Sequence, residues 1–229
     1  MHQALQWTIL VLLLLAQLVT ARPPAQQVIG GSKKNLTYVH ERLAEAEIIP
    51  TVIDDFQPSL KLDVTWKSHS AKLGNTLNPS HLQSKPSVRF GKATSELNLM
   101  PQGAAYTTHV VALTDPDAPS RDNPEWSEFC HWIAVVIPGS SASGVPGLQL
   151  KDLVEYKPPG PPPKTGKHRY VFLVLVPING TTDKLNLEPP KDRKHWGSDD
   201  EGHGVRQWAR SHGLAPVAAN FIYAQNEKQ

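Results

Sequence analysis

Three segments limit what this chain can become. Tyr106–Thr114 (YTTHVVALT), Phe129–Ile137 (FCHWIAVVI) and His168–Val176 (HRYVFLVLV) are rich in β-branched and aromatic residues, and each is bounded by proline or glycine. Such residues suit a pleated, buried surface, and the runs are short for core helices. The chain carries 21 prolines against 15 glycines. Proline is confined to turns, sheet edges and helix ends, which argues against a helical bundle. The three segments read as central strands of a β-sandwich.

The remaining segments fit around that core. Leu60, Leu62, Val64 and Trp66 alternate with polar residues, as a half-buried strand does. Val88–Phe90 reads as a short strand and Pro216–Tyr223 as the last one. Leu36, Val39, Leu43 and Ala46 recur at helical spacing, which predicts a helix over Asn35–Ile49 stopped by Pro50. A second helix is expected over Val205–His212, ending at Gly213. Lys67–Pro86 is polar and reads as loop. Pro138–Lys167, with its PPGPPPKTG run, is a long stretch of loop composition whose length points to a functional loop or a linker. No internal repeat or second domain is visible.

Charge excludes some partners. Lys and Arg total 23 and Asp and Glu 21, a formal net charge of +2. That balance does not suit a nucleic-acid binder or a polybasic membrane binder. The single cysteine, Cys130, rules out an intramolecular disulfide and a cysteine-based zinc site. A small buried strand residue is the expected role for it, ahead of a nucleophile. His195, His203 and His212 lie 8 and 9 residues apart, so no two share a helical turn, and no metal or other cofactor is expected. Asp199, Asp200 and Glu201 read as solvated surface before a helix.

The N-terminus reads as an address. Trp7–Val19 (WTILVLLLLAQLV) has the length of a signal-peptide core and falls short of a bilayer span of ~20 residues. Val19-Thr20-Ala21 supplies small residues for cleavage, and Arg22-Pro23-Pro24 breaks any helix. The expectation is a signal peptide over 1–21, a flexible proline-containing segment over 22–34 and one domain over 35–229. The mature chain is then extracellular, with no transmembrane segment. Two sequons, at Asn35 and Asn179, agree with that route.

Strand periodicity picks out the residues with chemistry. His168, Tyr170 and Phe172 share one strand face, and Phe129, His131 and Ile133 share another, with Cys130 and Trp132 opposite. Asp115 sits where the first core strand meets the turn Asp115-Pro116-Asp117-Ala118-Pro119. A lone strand histidine is more often structural than functional. Two of them at the proline-rich loop end, beside a carboxylate from a proline-fixed turn, point to a site.

These residues fall in stretches with a family likeness. Leu113–Gly139 (LTDPDAPSRDNPEWSEFCHWIAVVIPG) and Pro158–Pro177 (PPGPPPKTGKHRYVFLVLVP) resemble the two signatures of the phosphatidylethanolamine-binding proteins, and VRQWARSHGLAPVAANFIYAQ is similar to the family's closing helix and strand. The resemblance covers most of residues 35–225. It implies an all-β fold, an antiparallel β-sandwich in which a large sheet packs on a smaller one, with a few flanking helices. It also implies a small pocket for phosphate-like anions or a phospholipid head group. Carried over by position, that pocket is made of Asp115, His131, His168 and Tyr170, with Trp126 and Gly160-Pro161-Pro162 as walls. The family's usual second histidine is replaced here by Cys130, which strand alternation points away from the pocket.

The residues then suggest a mechanism. With no Lys or Arg expected in the pocket, anion binding would rest on imidazole, phenol and backbone donors. Asp115 would be protonated by burial, orient a charged histidine or hold a ligand's ammonium group; the second is favoured, and affinity would then fall as pH rises through about 6.5. Asp117 and Arg169 are expected to form a structural ion pair. Three function classes follow. The first is a secreted protein that binds small anions or phospholipid head groups. The second is an inhibitor of a secreted or vacuolar carboxypeptidase or serine protease, acting through surface loops. The third is an isomerase or dehydratase using the same pocket; with no nucleophile–base pair in the sequence, the expectation is that the chain is not an enzyme.

Overall fold

The computed structural model describes residues 30–91, 109–137, 149–181, 184–200 and 202–229, and the side chains from residue 35 onward. The expected leader, residues 22–29 of the segment after it, and Tyr106–Thr108 of the first core segment lie outside the described residues. Among the described residues no helix is long and apolar enough to cross a membrane.

The three core segments form β5 (Val110–Asp115), β6 (Phe129–Val136) and β8 (His168–Pro177). They lie side by side with β9 (Leu214–Ala224) in a six-stranded sheet of order β3-β9-β8-β5-β6-β7. Here β3 is Asn75–Thr76 and β7 is Leu150–Val154. A second sheet, of order β2-β1-β4, has three strands: β1 (Lys61–Trp66), β2 (His69–Ser70) and β4 (Ser87–Gly91). Two helices flank them, α1 (Gly30–Glu45) and α2 (Val205–Ser211). The fold is therefore β-dominated with few helices, as expected. The two sheets are unequal and do not make a clear sandwich, and one pairing departs from the antiparallel pattern: β3 runs parallel to β9.

Alternation along the central strands builds two cores. Val171, Leu173 and Leu175 of β8 join Phe221, Trp208 and Leu43 in one cluster on the helix side. Tyr170, Phe172 and Val174 face the other way, toward Leu62, Val64, Trp66 and Val88 of the small sheet. Each fully buried large side chain stabilises the fold by roughly 1.5–3 kcal/mol relative to exposure.

Three expectations change. The helix ends at Glu45, before Pro50 is reached. Glu47 adopts a left-handed φ of 54°, which lets the Ile48 and Ile49 N–H groups donate back to the Leu43 carbonyl. The chain then turns, and Ile48, Ile49, Val52 and Ile53 enter the core. The stretch Lys67–Pro86 is not simple loop: it holds β2, β3 and the 3-10 turn Pro79–Leu82. Gly74, at φ +106°, precedes β3 because a Cβ there would stand 2.9 Å from the Phe221 ring. Finally, β7 lies inside Pro138–Lys167 as an antiparallel edge strand on β6. Its Lys151 is exposed and its Asp152 half-buried, so it lacks the apolar run of a central strand.

Candidate functional site

Asp115 is the last residue of β5, and its carboxylate organises the turn beyond. Oδ1 accepts from the Asp117 N–H at 2.8 Å, an Asx turn. Oδ2 accepts from His168 Nδ1 at 2.9 Å, with both side chains almost wholly buried. The other ring nitrogen of His168 lies 3.0 Å from Thr165 Oγ1, which is also 2.8 Å from the Pro162 carbonyl. Asp115 thus orients His168, and through Thr165 the ring is tied to the proline-rich wall.

His131 reaches the site through a bulge. In the β5–β6 ladder Leu113 pairs with Trp132 and Thr114 with Cys130, so His131 is the extra residue. A bulge re-aims the side chain it inserts. It also breaks the face expected from simple alternation: Ile133 packs with Cys130 in the helix-side core, away from Phe129 and His131. Cys130 is fully buried in that cluster, turned from the pocket as expected, and burial pushes its thiol up to about 12. The His131 ring stands edge-on to Tyr170, with centroids 5.2 Å apart. Its Nδ1 donates to the Lys157 carbonyl at 2.7 Å.

These groups converge. Asp115, His131, His168, Tyr170, Trp126 and Pro161 all line one cavity of about 240 Å³. Its inner surface is tight, with His131 5% exposed, Asp115 2%, and His168 and Tyr170 1% each. Its rim is open, walled by half-buried Trp126 and Phe129 and by exposed Lys157 and Gly160. The volume is below the ~300–1,000 Å³ of drug-sized ligand pockets, so it suits a small group.

The electrostatics differ from the expectation. Burial lowers His131 to about 4; the Asp115 carboxylate and the hydrogen bond to Lys157 oppose that shift, and Arg193 and Lys157 add to it. With Nδ1 donating and the ring neutral, Nε2 is an acceptor. A charged His131 therefore does not supply the positive charge at neutral pH. Burial, together with the neighbouring Asp115 carboxylate, keeps the Tyr170 phenol protonated, although a backbone hydrogen bond from Gly160 favours the phenolate.

Positive charge comes from residues that sequence reasoning missed. Lys157 lines the pocket, with Nζ 5.3 Å from the Phe129 ring centroid. Lys194 Nζ lies 4.3 Å from the Trp126 ring centroid. Behind His131, Arg193 donates Nη1 to the Cys130 and His131 carbonyls and Nη2 to that of Glu155. The pocket wall thus carries one permanent cation, Lys157, with Lys194 seated on the Trp126 ring beside it. Lys157 directly precedes Pro158, a signal that it stands on the proline-rich wall. Lys194 has no local signal, because a turn distant in sequence brings it in.

One titration follows for His131. Its ring proton resonances should stay unchanged from pH 5.5 to 8 and move with a midpoint near 4 in an NMR titration. A midpoint near 6.5 would restore the charged-imidazole mechanism.

The second expected pair is also in place. Arg169 Nη2 and Nε donate to Asp117 Oδ1 at 2.6 Å and Oδ2 at 2.9 Å, and the Arg169 backbone N–H donates to Oδ2 at 2.7 Å. Arg169 Nη1 donates to the Ala46 and Glu47 carbonyls at the end of α1. The turn presenting Asp115 is thereby bolted to β8 and to the helix terminus.

Comparison with known proteins gives the architecture a context. Residues 67–222 match the family model for phosphatidylethanolamine-binding protein. The chain belongs to that family. It is 34% identical over 201 residues to the carboxypeptidase Y inhibitor of Saccharomyces cerevisiae, covering 79% of this chain and 91% of the inhibitor. It is 34% identical over 191 residues to CEN-like protein 1 of Nicotiana tabacum, covering 82% and 94%. Among solved structures, carboxypeptidase Y inhibitor complexed with its cognate proteinase superposes with a TM-score of 0.67 at 29% identity, covering 84% of this chain and 97% of that one. The family pocket positions carried over from the two signatures are the residues gathered around the cavity here.

Proposed function

We propose that this family member is a binding protein that holds the phosphate of a small phosphorylated ligand, such as a phospholipid head group, and performs no chemistry on it. The observation that carries this reading is the convergence of six residues from separate segments on one small cavity with cations at its rim. The Lys157 ammonium and backbone N–H groups supply donors, and the lysines and Arg193 offset the Asp115 carboxylate, to which the single Tyr170 O–H proton is committed. No acyl groove is required, because the cavity suits a head group alone. We place the protein outside the cell, with the leader removed after Ala21. Asn179 is exposed on the turn after β8 and is the better-presented sequon; Asn35 is exposed on α1.

The test uses protein recovered from the medium of expressing cells, where the chain should begin at Arg22. Titration calorimetry with phosphoethanolamine should show saturable binding, weakened at least tenfold by Trp126→Ala, since removing the wall also frees Lys194. Equal affinity in both proteins would place the ligand elsewhere.

A second reading has a specific observation behind it, the 34% identity to carboxypeptidase Y inhibitor. Inhibition of a carboxypeptidase through surface loops needs no pocket. An assay with the Trp126→Ala protein separates the two readings: inhibition at wild-type potency with ligand binding lost assigns them to different surfaces.

A further inference from the structure

Two ammonium groups sit on the aromatic walls of the pocket: Lys157 belongs to its lining, and Lys194 stands on the ring of the wall residue Trp126. Lys157 and Lys194 come from distant segments, and each stands over an aromatic wall residue of the same cavity, Phe129 and Trp126. Among the described residues neither lies within ion-pair distance of a carboxylate, unlike Lys61 and Lys85, which pair with Asp63 and Asp152. Cation–π contact holds such a group in place without neutralising it.

The placement of Lys194 is built into the backbone. The turn Lys194–Gly197 puts His195, Trp196 and Gly197 in left-handed conformation, with φ of 49°, 49° and 77°. For the two non-glycine residues that conformation is strained. The turn is held by contacts to the pocket wall: His195 N–H donates to the Trp126 carbonyl, His195 Nδ1 donates to the Ser127 carbonyl at 2.7 Å, and the Trp196 indole donates to Thr114 Oγ1 at 2.9 Å. A strained turn clamped on residues 126 and 127 delivers Lys194 to the Trp126 face.

Resting on the pocket reading above, we infer that Lys157 and Lys194 read ligand charge, so that the site selects small phosphomonoesters over phosphodiesters. A phosphomonoester carries about −1.5 to −2 charges at pH 7, its second pKa being near 6. A diester carries one. The buried Asp115 carboxylate penalises any anion, and two unpaired cations at the mouth favour the more highly charged one. The site would then take a head group released from its lipid and discriminate against the intact diester lipid.

Phosphoethanolamine and glycerophosphoethanolamine share the amine and differ in having one ester bond or two. Titration calorimetry at pH 7.5 should show the wild type preferring the monoester by roughly fivefold to tenfold, about 1–1.4 kcal/mol. In K157Q/K194Q the preference should fall to within about twofold, while K157R/K194R retains it. The monoester preference should also shrink at high salt, because exposed cations are screened. A double glutamine variant that keeps the full preference, or a wild type that binds both compounds equally well, overturns the inference and leaves the pocket reading standing. Binding of neither compound by the wild type removes both.

Discussion

Asp117→Ala is expected to destabilise the protein by about 3–5 kcal/mol, the cost of leaving a buried charge without its partner. Asp117 is 1% exposed and Arg169 6%. The carboxylate accepts from the guanidinium at both oxygens and from the Arg169 backbone N–H. Its removal strands a guanidinium whose Nη1 also holds the Ala46 and Glu47 carbonyls just past α1. The ion pair therefore joins three parts of the chain: the turn carrying Asp115, the start of β8 carrying His168 and Tyr170, and the helix terminus. For a domain of this size, 1 kcal/mol moves the melting temperature by roughly 2–4 °C, so a fall of about 10 °C or more is expected by calorimetry. Asp117→Asn, which keeps one acceptor oxygen, should fall less. A melting temperature within about 2 °C of wild type for Asp117→Ala would remove this account of the turn.

The second large effect concerns Glu128, next to the pocket wall but outside it. Its side chain accepts from Thr114 Oγ1 at 2.9 Å and from the Val205 N–H at 3.3 Å. Burial raises it to about 7, against the pull of those hydrogen bonds and of Arg206 and Arg169. The folded chain thus binds a proton there more tightly than the unfolded chain does. The stability this gives is present below about pH 4.5 and is lost as pH rises to about 7. The window corresponds to roughly 3 kcal/mol. Glu128→Gln removes the titration, so the variant should gain on the wild type by about 2–3 kcal/mol between pH 4.5 and pH 8. Comparing urea unfolding of the two proteins at both pH values cancels any constant packing difference. A stability difference independent of pH would show that Glu128 titrates normally. Packing leaves the carboxyl little alternative position: a Cβ on Gly204 would lie 2.1 Å from its Cδ.

The sequence disclosed the frame better than the charges. β8 was legible because Val171, Leu173 and Leu175 and their intervening neighbours are apolar on both faces, as a central strand requires. β7 was not, because Leu150–Val154 is an edge strand whose polar residues are tolerated by solvent. The end of α1 was misplaced because a left-handed Glu47 is a choice made by tertiary packing and by Arg169, and nothing local demands it.

At the site the split is similar. Asp115, His168 and Tyr170 sit on regular strand positions, so alternation located them. His131 owes its direction to a bulge, which a period-two pattern cannot show, and its face partner Ile133 was lost with it. Charge was misread because imidazole was expected to carry it. Burial neutralises His131, and the cations that replace it lie on rim segments whose approach to the pocket is purely tertiary.

The most direct measurement is diffraction from crystals grown with phosphoethanolamine. The account predicts a phosphate inside the 240 Å³ cavity, in contact with Tyr170 and within reach of Lys157 and Lys194. A phosphate bound elsewhere on the chain, with this cavity holding only water, would contradict it.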